Sequence, residues 1–219
     1  MRDLVILGAG GFACEASFLV EEINHWEGLG KTQEYGKWNL LGYIDEDKAK
    51  WGSEMRGYPV LGGWDALERL DHSVYLICVV GDPASKKTMV ERALRLGRDF
   101  ANLVHPDVTL KGDVFLGKGV LINKGCILTV NIRIGDHVSI NPGCGIGHDT
   151  VIKDHSTLMW HVNLSGAVEI GEGCMLGSKA TVLQEVKIGS WSTVGAGAVV
   201  TEDLPEACTA VGIPAKVIS

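Results

Sequence analysis

The sequence predicts two domains of different architecture: a Rossmann-like parallel α/β domain over residues 1–100, then a parallel β-helix over residues 101–219. Three observations predict it. An apolar run at the N-terminus passes through a Gly-rich loop into a helical pattern, two further apolar runs alternate with helical pattern, and from Val104 onward an aliphatic residue recurs at every sixth position without a break. The composition agrees. Gly is high at 29 and aromatics low at 6%, which suits tight turns and a core of small aliphatic side chains.

The first element is Leu4-Val5-Ile6-Leu7, running into Gly8-Ala9-Gly10-Gly11-Phe12 and a helix over residues 14–23. A strand, Gly-rich loop and helix in this order let backbone N–H groups meet a phosphate at the helix N-terminus. The spacing lacks the last Gly of the usual dinucleotide fingerprint. Residues 24–39, with Trp26, Gly28, Gly30, Gly36 and Trp38, carry no clear period and read as an insertion. Leu40-Leu41-Gly42-Tyr43-Ile44-Asp45 is a second strand ending in an acid, and residues 74–80 a third, ending in Gly81-Asp82. A helix over residues 85–96 follows, with Gly97 as its C-cap. Ligands of such sheets sit beyond the carboxyl ends of the strands, so residues 8–11, Asp45, Gly81 and Asp82 are expected around one crevice.

The second half reads Leu110, Leu116, Ile122, Leu128, Ile134, Ile140 and so on, in steps of six, to Val200. Four residues after each comes a smaller series that includes Val120, Cys126, Val138, Cys144, Ser156, Cys174, Ala180 and Ser192. Both series must face one interior. Three hexads make a triangular coil of about 18 residues, and neighbouring coils stack. Gly directly after the aliphatic residue, as at Gly117, Gly135, Gly147, Gly171, Gly177, Gly189 and Gly195, is expected where a Cβ would crowd a corner.

Charge and cysteines bound the partners. A formal net charge of −7 gives no reason to expect nucleic acid or an anionic membrane, so small molecules are the expected ligands. The six cysteines form no CxxC pair, which argues against a zinc knuckle or redox motif and for a reduced, cytoplasmic setting. The N-terminal apolar stretch is too short for a signal peptide, and no run approaches the roughly 20 apolar residues of a membrane span.

Ile134-Gly135-Asp136, Ile170-Gly171-Glu172-Gly173 and Val194-Gly195-Ala196-Gly197-Ala198 resemble the repeats of the hexapeptide acyltransferases. With the Gly-loop domain in front, the chain resembles the sialic acid O-acetyltransferase (NeuD/PglD-like) family, which also holds nucleotide-sugar N-acetyltransferases acting on 4-amino sugars. The resemblance implies a left-handed β-helix, a homotrimer, acetyl-CoA as co-substrate in a cleft between subunits, and a sugar acceptor, free or nucleotide-linked. It implies that Gly8, Gly10, Gly11, Phe12, Asp45, Gly81 and Asp82 hold the nucleotide sugar; Phe12 stands where those enzymes commonly carry His.

Acetyl transfer from a thioester needs a base for the acceptor's proton and no covalent enzyme intermediate. Asn141-Pro142-Gly143-Cys144-Gly145-Ile146-Gly147-His148-Asp149 resembles the family's catalytic segment, which implies His148 as general base, Asp149 as its orienting acid and Asn141 near the sugar. By the same resemblance Thr157, where relatives often carry a second His, and Gly166, Gly195 and Lys216 lie near CoA. His155 and His161 are alternative stand-ins for that second His. All five of His105, His137, His148, His155 and His161 fall off the inward positions, so each is predicted to face solvent or a neighbouring subunit. Cys126 and Cys144, one coil apart, read as core filler. His137 and His155 stack likewise, but zinc needs a third converging ligand, so no metal is expected.

The expected activity is transfer of an acetyl group to an amino or hydroxyl group of a sugar. Its rivals are O-acetylation of a free sialic-type sugar, a metal-dependent β-helical hydratase, a non-catalytic nucleotide-binding module and a dinucleotide-dependent oxidoreductase.

Overall fold

The computed structural model describes residues 1–28 and 37–219. The chain divides into one unit of Met1–Gly81 with Ser85–Pro106, and a second of Asp82–Ala84 with Asp107–Ser219.

In the first unit five strands form one sheet in the order β3-β4-β2-β1-β5. These are β1 (Arg2–Leu7), β2 (Trp38–Ile44), β3 (Glu54–Met55), β4 (Tyr58–Gly62) and β5 (Tyr75–Cys78), and only the β3–β4 pair is antiparallel. The run Leu4-Val5-Ile6-Leu7 does not alternate because β1 is central in a parallel sheet, and all four side chains are fully buried. Gly42 sits at φ +146, where a Cβ would stand 2.3 Å from the Pro59 carbonyl oxygen of β4. That close approach explains the glycine inside an otherwise apolar strand.

Helix α1 (Gly11–Gly28) runs past the predicted end at residue 23. Residues 24–28 and 38–39 of the expected insertion are therefore regular structure. Asn24 lies in α1 and clamps the start of β2, its amide donating to the Trp38 carbonyl at 2.8 Å while its Oδ1 accepts from the Trp38 N–H at 2.9 Å. Gly30 and Gly36 lie outside the described residues. The hairpin of β3 and β4 and the short helix α2 (Trp64–Arg69) lie in a stretch the sequence left unassigned. Helix α3 (Pro83–Arg95) starts on a proline and ends as expected at Gly97, φ +69, with the Arg98 N–H returning to the Ala93 carbonyl at 3.2 Å.

The second unit is a parallel β-helix whose short strands stack into three sheets. Ile134 pairs with Ile152 and Ile152 with Ile170, Ile140 with Leu158 and Leu158 with Leu176, and Ile146 with Leu164 and Leu164 with Val182, each step being one 18-residue coil. Every aliphatic residue of the six-residue series from Ile122 to Val200 is buried; Leu110 and Leu116, in the first coil, are half-buried. The small series is buried too, and its polar members are paired: Ser156 Oγ donates to the Gly171 carbonyl at 2.8 Å and accepts from the Cys174 N–H at 3.1 Å.

The corners differ from expectation in one respect. The left-handed backbone conformation recurs every six residues, but at Gly119, Asn131, His137, Gly143, Asp149, His155, His161 and Ala167, two residues beyond the predicted glycines. The predicted glycines are needed for another reason. A Cβ on Gly171 would stand 2.5 Å from the Ser190 nitrogen, and one on Gly189 2.4 Å from the Glu206 nitrogen, both on the adjacent coil. The last coil is two residues shorter, pairing Thr193 with Thr209, and is closed by antiparallel pairing of Ala210 with Val217.

Candidate active site

The strand Gly145–Ile146 ends at a corner, the next strand starts at Val151, and His148 and Asp149 occupy the corner between them. Asp149 takes the left-handed conformation, φ 60. Asp tolerates that region better than most residues because its short polar side chain bonds locally. Its Oδ2 lies 2.7 Å from His148 Nδ1, and its Oδ1 accepts from Asn131 Nδ2 at 2.5 Å. The hydrogen bonds from His148 and Asn131 hold the Asp149 carboxyl below its ordinary range, so it stays an ionised acceptor. A carboxylate can only accept, which assigns a ring proton to Nδ1; in the neutral ring the Nε2 lone pair is then the open one. Both side chains are about half exposed, at 53% and 50%.

Gly166, one coil on, explains how the ring can lie there. A Cβ at 166 would stand 2.3 Å from His148 Nε2 and 2.4 Å from Cε1, so the imidazole occupies the space a side chain would need. Gly166 thus meets His148 directly.

The other expected site residues of this unit lie elsewhere in the coil. Asn141 is 2% exposed, and its amide donates to the Leu158 carbonyl at 3.0 Å. Thr157 is fully buried on the strand Thr157–Leu158. Gly195 follows the strand Thr193–Val194 and hydrogen-bonds to the Ala210 carbonyl at 2.8 Å. Lys216 is exposed on the closing strand Lys216–Val217. His161 covers Gly143 at a second corner, and His155 stands at the third.

Three histidines depart from prediction. His105 is fully buried, 3.3 Å from a Glu22 carboxylate oxygen and edge-on to Trp26. His137 and His155 leave the coil's interior as predicted, yet both are buried, their rings stacked 5.3 Å apart and 6° from parallel. Among the described residues no three His, Cys, Asp or Glu side chains converge to hold a metal ion. Cys126 and Cys144 are buried in the coil; hydrogen bonding to Cys126 and burial push the Cys144 thiol up, unlike a nucleophile.

In the α/β unit, Gly8, Asp45 and Gly81 follow the carboxyl ends of β1, β2 and β5, which are neighbours in the sheet. Gly8, φ +105, turns the chain out of β1 and lies against Val79 and Val80, while a Cβ on Gly10, Gly11 or Gly81 would meet nothing within 4 Å. Phe12 is half-buried in the first turn of α1, where the Ala13 and Cys14 amides donate to the Gly10 carbonyl at 3.0 and 3.3 Å, and Asp82 is exposed. Asp45 is tied to the loop: Oδ2 accepts from the Ala9 N–H at 2.8 Å and from Lys50 Nζ at 3.0 Å, and Oδ1 from the Asp47 N–H at 2.9 Å. Burial pushes its carboxyl up, but the Asp47 amide, Lys50 and the Ala9 amide outweigh burial and hold it below the usual range.

A depressed carboxylate contributes stability that is fully present above its unfolded pKa of about 3.9 and is lost as pH falls through the lower folded value. Asp45→Asn is therefore expected to lower Tm at neutral pH, with the gap to wild type closing as pH falls below about 4. Thermal unfolding of both proteins at a series of pH values checks this, and a gap that persists or widens in acid contradicts it.

Sequence reasoning missed Asn131 and Lys50. Asn131 had a signal, since it precedes Asp149 by one 18-residue coil in the same phase; Lys50 had none.

Comparison with known proteins agrees with this arrangement. Residues 3–93 match the PglD N-terminal domain, and residues 167–202 match the bacterial transferase hexapeptide (six repeats). The Staphylococcus aureus (strain Mu50) protein named "Putative acetyltransferase SAV2555" is 34% identical over 142 residues, spanning 63% of this chain and 70% of its own. The structure of PerB from Caulobacter crescentus in complex with CoA and GDP-perosamine has a TM-score of 0.84 at 31% identity, covering 100% of this chain and 98% of that one. The acetyltransferase domain of PglB from Neisseria gonorrhoeae, in complex with acetyl coenzyme A, has a TM-score of 0.84 at 28% identity over 99% of both chains. An α/β domain followed by a hexapeptide β-helix is the architecture of an acyltransferase acting on sugars. The chain belongs to the PglD/NeuD-like family of sugar acetyltransferases.

Proposed function

We propose that this protein transfers the acetyl group of acetyl-CoA to the amino group of a nucleotide-linked amino sugar, with His148 as general base. The observation that carries the reading is the His148 Nδ1 to Asp149 Oδ2 contact of 2.7 Å, which leaves Nε2 as an acceptor on an exposed corner. The acceptor is chosen by likeness to PerB, whose structure holds CoA and GDP-perosamine.

The sugar nitrogen attacks the thioester carbonyl carbon and passes a proton to His148 Nε2. The tetrahedral oxyanion collapses, the carbon–sulfur bond breaks, and the CoA thiolate leaves and takes the proton from the imidazolium. Asp149 stabilises that imidazolium without itself being protonated. Residues 8–11, Asp45, Gly81 and Asp82 bind the nucleotide half, the first turn of α1 offering backbone amides to phosphate. Gly195 and Lys216 serve CoA from positions away from the His148 corner, which supports a homotrimer in which one subunit's base faces a neighbour's CoA-binding surface; Thr157, fully buried, offers CoA no surface. The cytoplasm is the compartment this reading assigns, in keeping with six free cysteines.

Release of free thiol from acetyl-CoA, followed with a thiol-reactive chromophore, tests this against GDP-, UDP- and dTDP-linked amino sugars, their hydroxyl counterparts and free sialic acids. Release is expected with one amino-sugar nucleotide and not with its hydroxyl counterpart. Turnover of hydroxyl or nucleotide-free sugars alone would overturn the acceptor class.

A further inference from the structure

Asp149 differs from the other acids at the corners of the β-helix in what its oxygens hold. Asp136 Oδ1 accepts from the Lys118 N–H and Asp154 Oδ1 from the Asp136 N–H, each at 2.8 Å, so those carboxylates tie backbone amides of the preceding coil. Asp149 instead meets two side chains, His148 through Oδ2 and Asn131 through Oδ1. Asn131 is itself anchored one coil further back, its N–H donating to Asp113 Oδ2 at 3.2 Å. Asp113, Asn131 and Asp149 thus form a polar column that ends on the imidazole.

The fold alone does not require Asn at this place. The same corner holds Ala167 at φ 57 and Glu185 at φ 64 in later coils, so the left-handed turn forms there without an amide side chain. The amide matters for what it donates. A carboxylate pinned through one oxygen by a neutral donor keeps its charge and one fixed direction; a Lys or Arg in that place would pin it and neutralise it.

We propose that Asn131 is a positioning residue for the His148–Asp149 pair, fixing the Asp149 carboxylate by its side-chain amide so that Oδ2 holds the imidazole as its Nδ1–H tautomer. The proposal rests on His148 being the base. Without Asn131 the carboxylate turns about its own side-chain bonds, the imidazole loses its orienting partner, and Nε2 is no longer reserved as the acceptor.

The test uses the full-length protein, Asn131→Ala, and Asn131→Asp, which keeps shape and cannot donate when ionised. Nitrogen NMR of ¹⁵N-histidine-labelled protein reads the tautomer of His148, its signal assigned by its loss in His148→Gln. Wild type is expected to show the Nδ1–H form, and both Asn131 variants a mixture rich in Nε2–H. With the same acceptor, kcat is expected to fall about 10- to 100-fold while KM for acetyl-CoA stays within about twofold. A lowered Tm with tautomer and kcat unchanged would make Asn131 a structural cross-link between coils and overturn the proposal. So would an unchanged tautomer with kcat within about twofold of wild type. Full activity in His148→Ala would defeat the base reading instead, and the tautomer measurement would still decide the role of Asn131.

Discussion

His148→Ala is expected to lower kcat for acetyl transfer by about 10²- to 10⁴-fold with little change in KM for either substrate. On the proposed role the loss falls on kcat, because Nε2 would meet the acceptor's proton only as it is transferred. The fold is expected to survive. His148 is half exposed, its ring touches Gly166 and Asp149, and the coil's interior at that level is made by Ile146 and Thr150. Steady-state kinetics with the acceptor found by thiol release check the expectation. A variant with wild-type kcat would remove His148 from the chemistry, and a rise in KM alone would make it a binding residue.

Gly166→Ala is expected to reduce kcat by about 100-fold, close to the loss of the imidazole itself. The added Cβ would stand 2.3 Å from Nε2, and the ring is the part free to yield, so it must swing off the position in which Asp149 holds it. Nothing about the backbone opposes the change, since Gly166 is not among the residues in the left-handed conformation. Tm is accordingly expected to move by a few degrees at most. The same variant separates two roles for this glycine. A lowered kcat with KM for acetyl-CoA unchanged marks it as space for the base; a raised KM with kcat intact would mark it as a CoA contact.

The β-helix was legible almost residue by residue because its order is local. Each strand meets the chain 18 residues before and after, so one period assigns inward, outward and corner positions together. The same phase would have found Asn131. It could not show that His137 and His155 are buried, because phase tells which positions leave the coil and not what lies against them; there the two rings stack on one another. In the α/β unit the long apolar strands and the Gly-rich loop stood out, whereas β3, β4 and α2 span two, five and six residues, too short for either period to register. The end of α1 was hidden by Trp and Gly; its last turns are tied to β2 by the pairing of Asn24 with Trp38. His148 and Asp149 were legible only through a motif, since hexad phase alone makes them another polar corner.

The most direct test follows the acetyl group itself. Wild-type protein is mixed with acetyl-CoA isotopically labelled in the acetyl group, with and without the acceptor, and both sugar and intact protein are analysed by mass spectrometry during turnover. Label is expected on the sugar nitrogen at the rate of thiol release, with the protein at its unmodified mass throughout. Protein gaining one acetyl group before the sugar does, or label appearing only as free acetate, would contradict direct transfer assisted by His148.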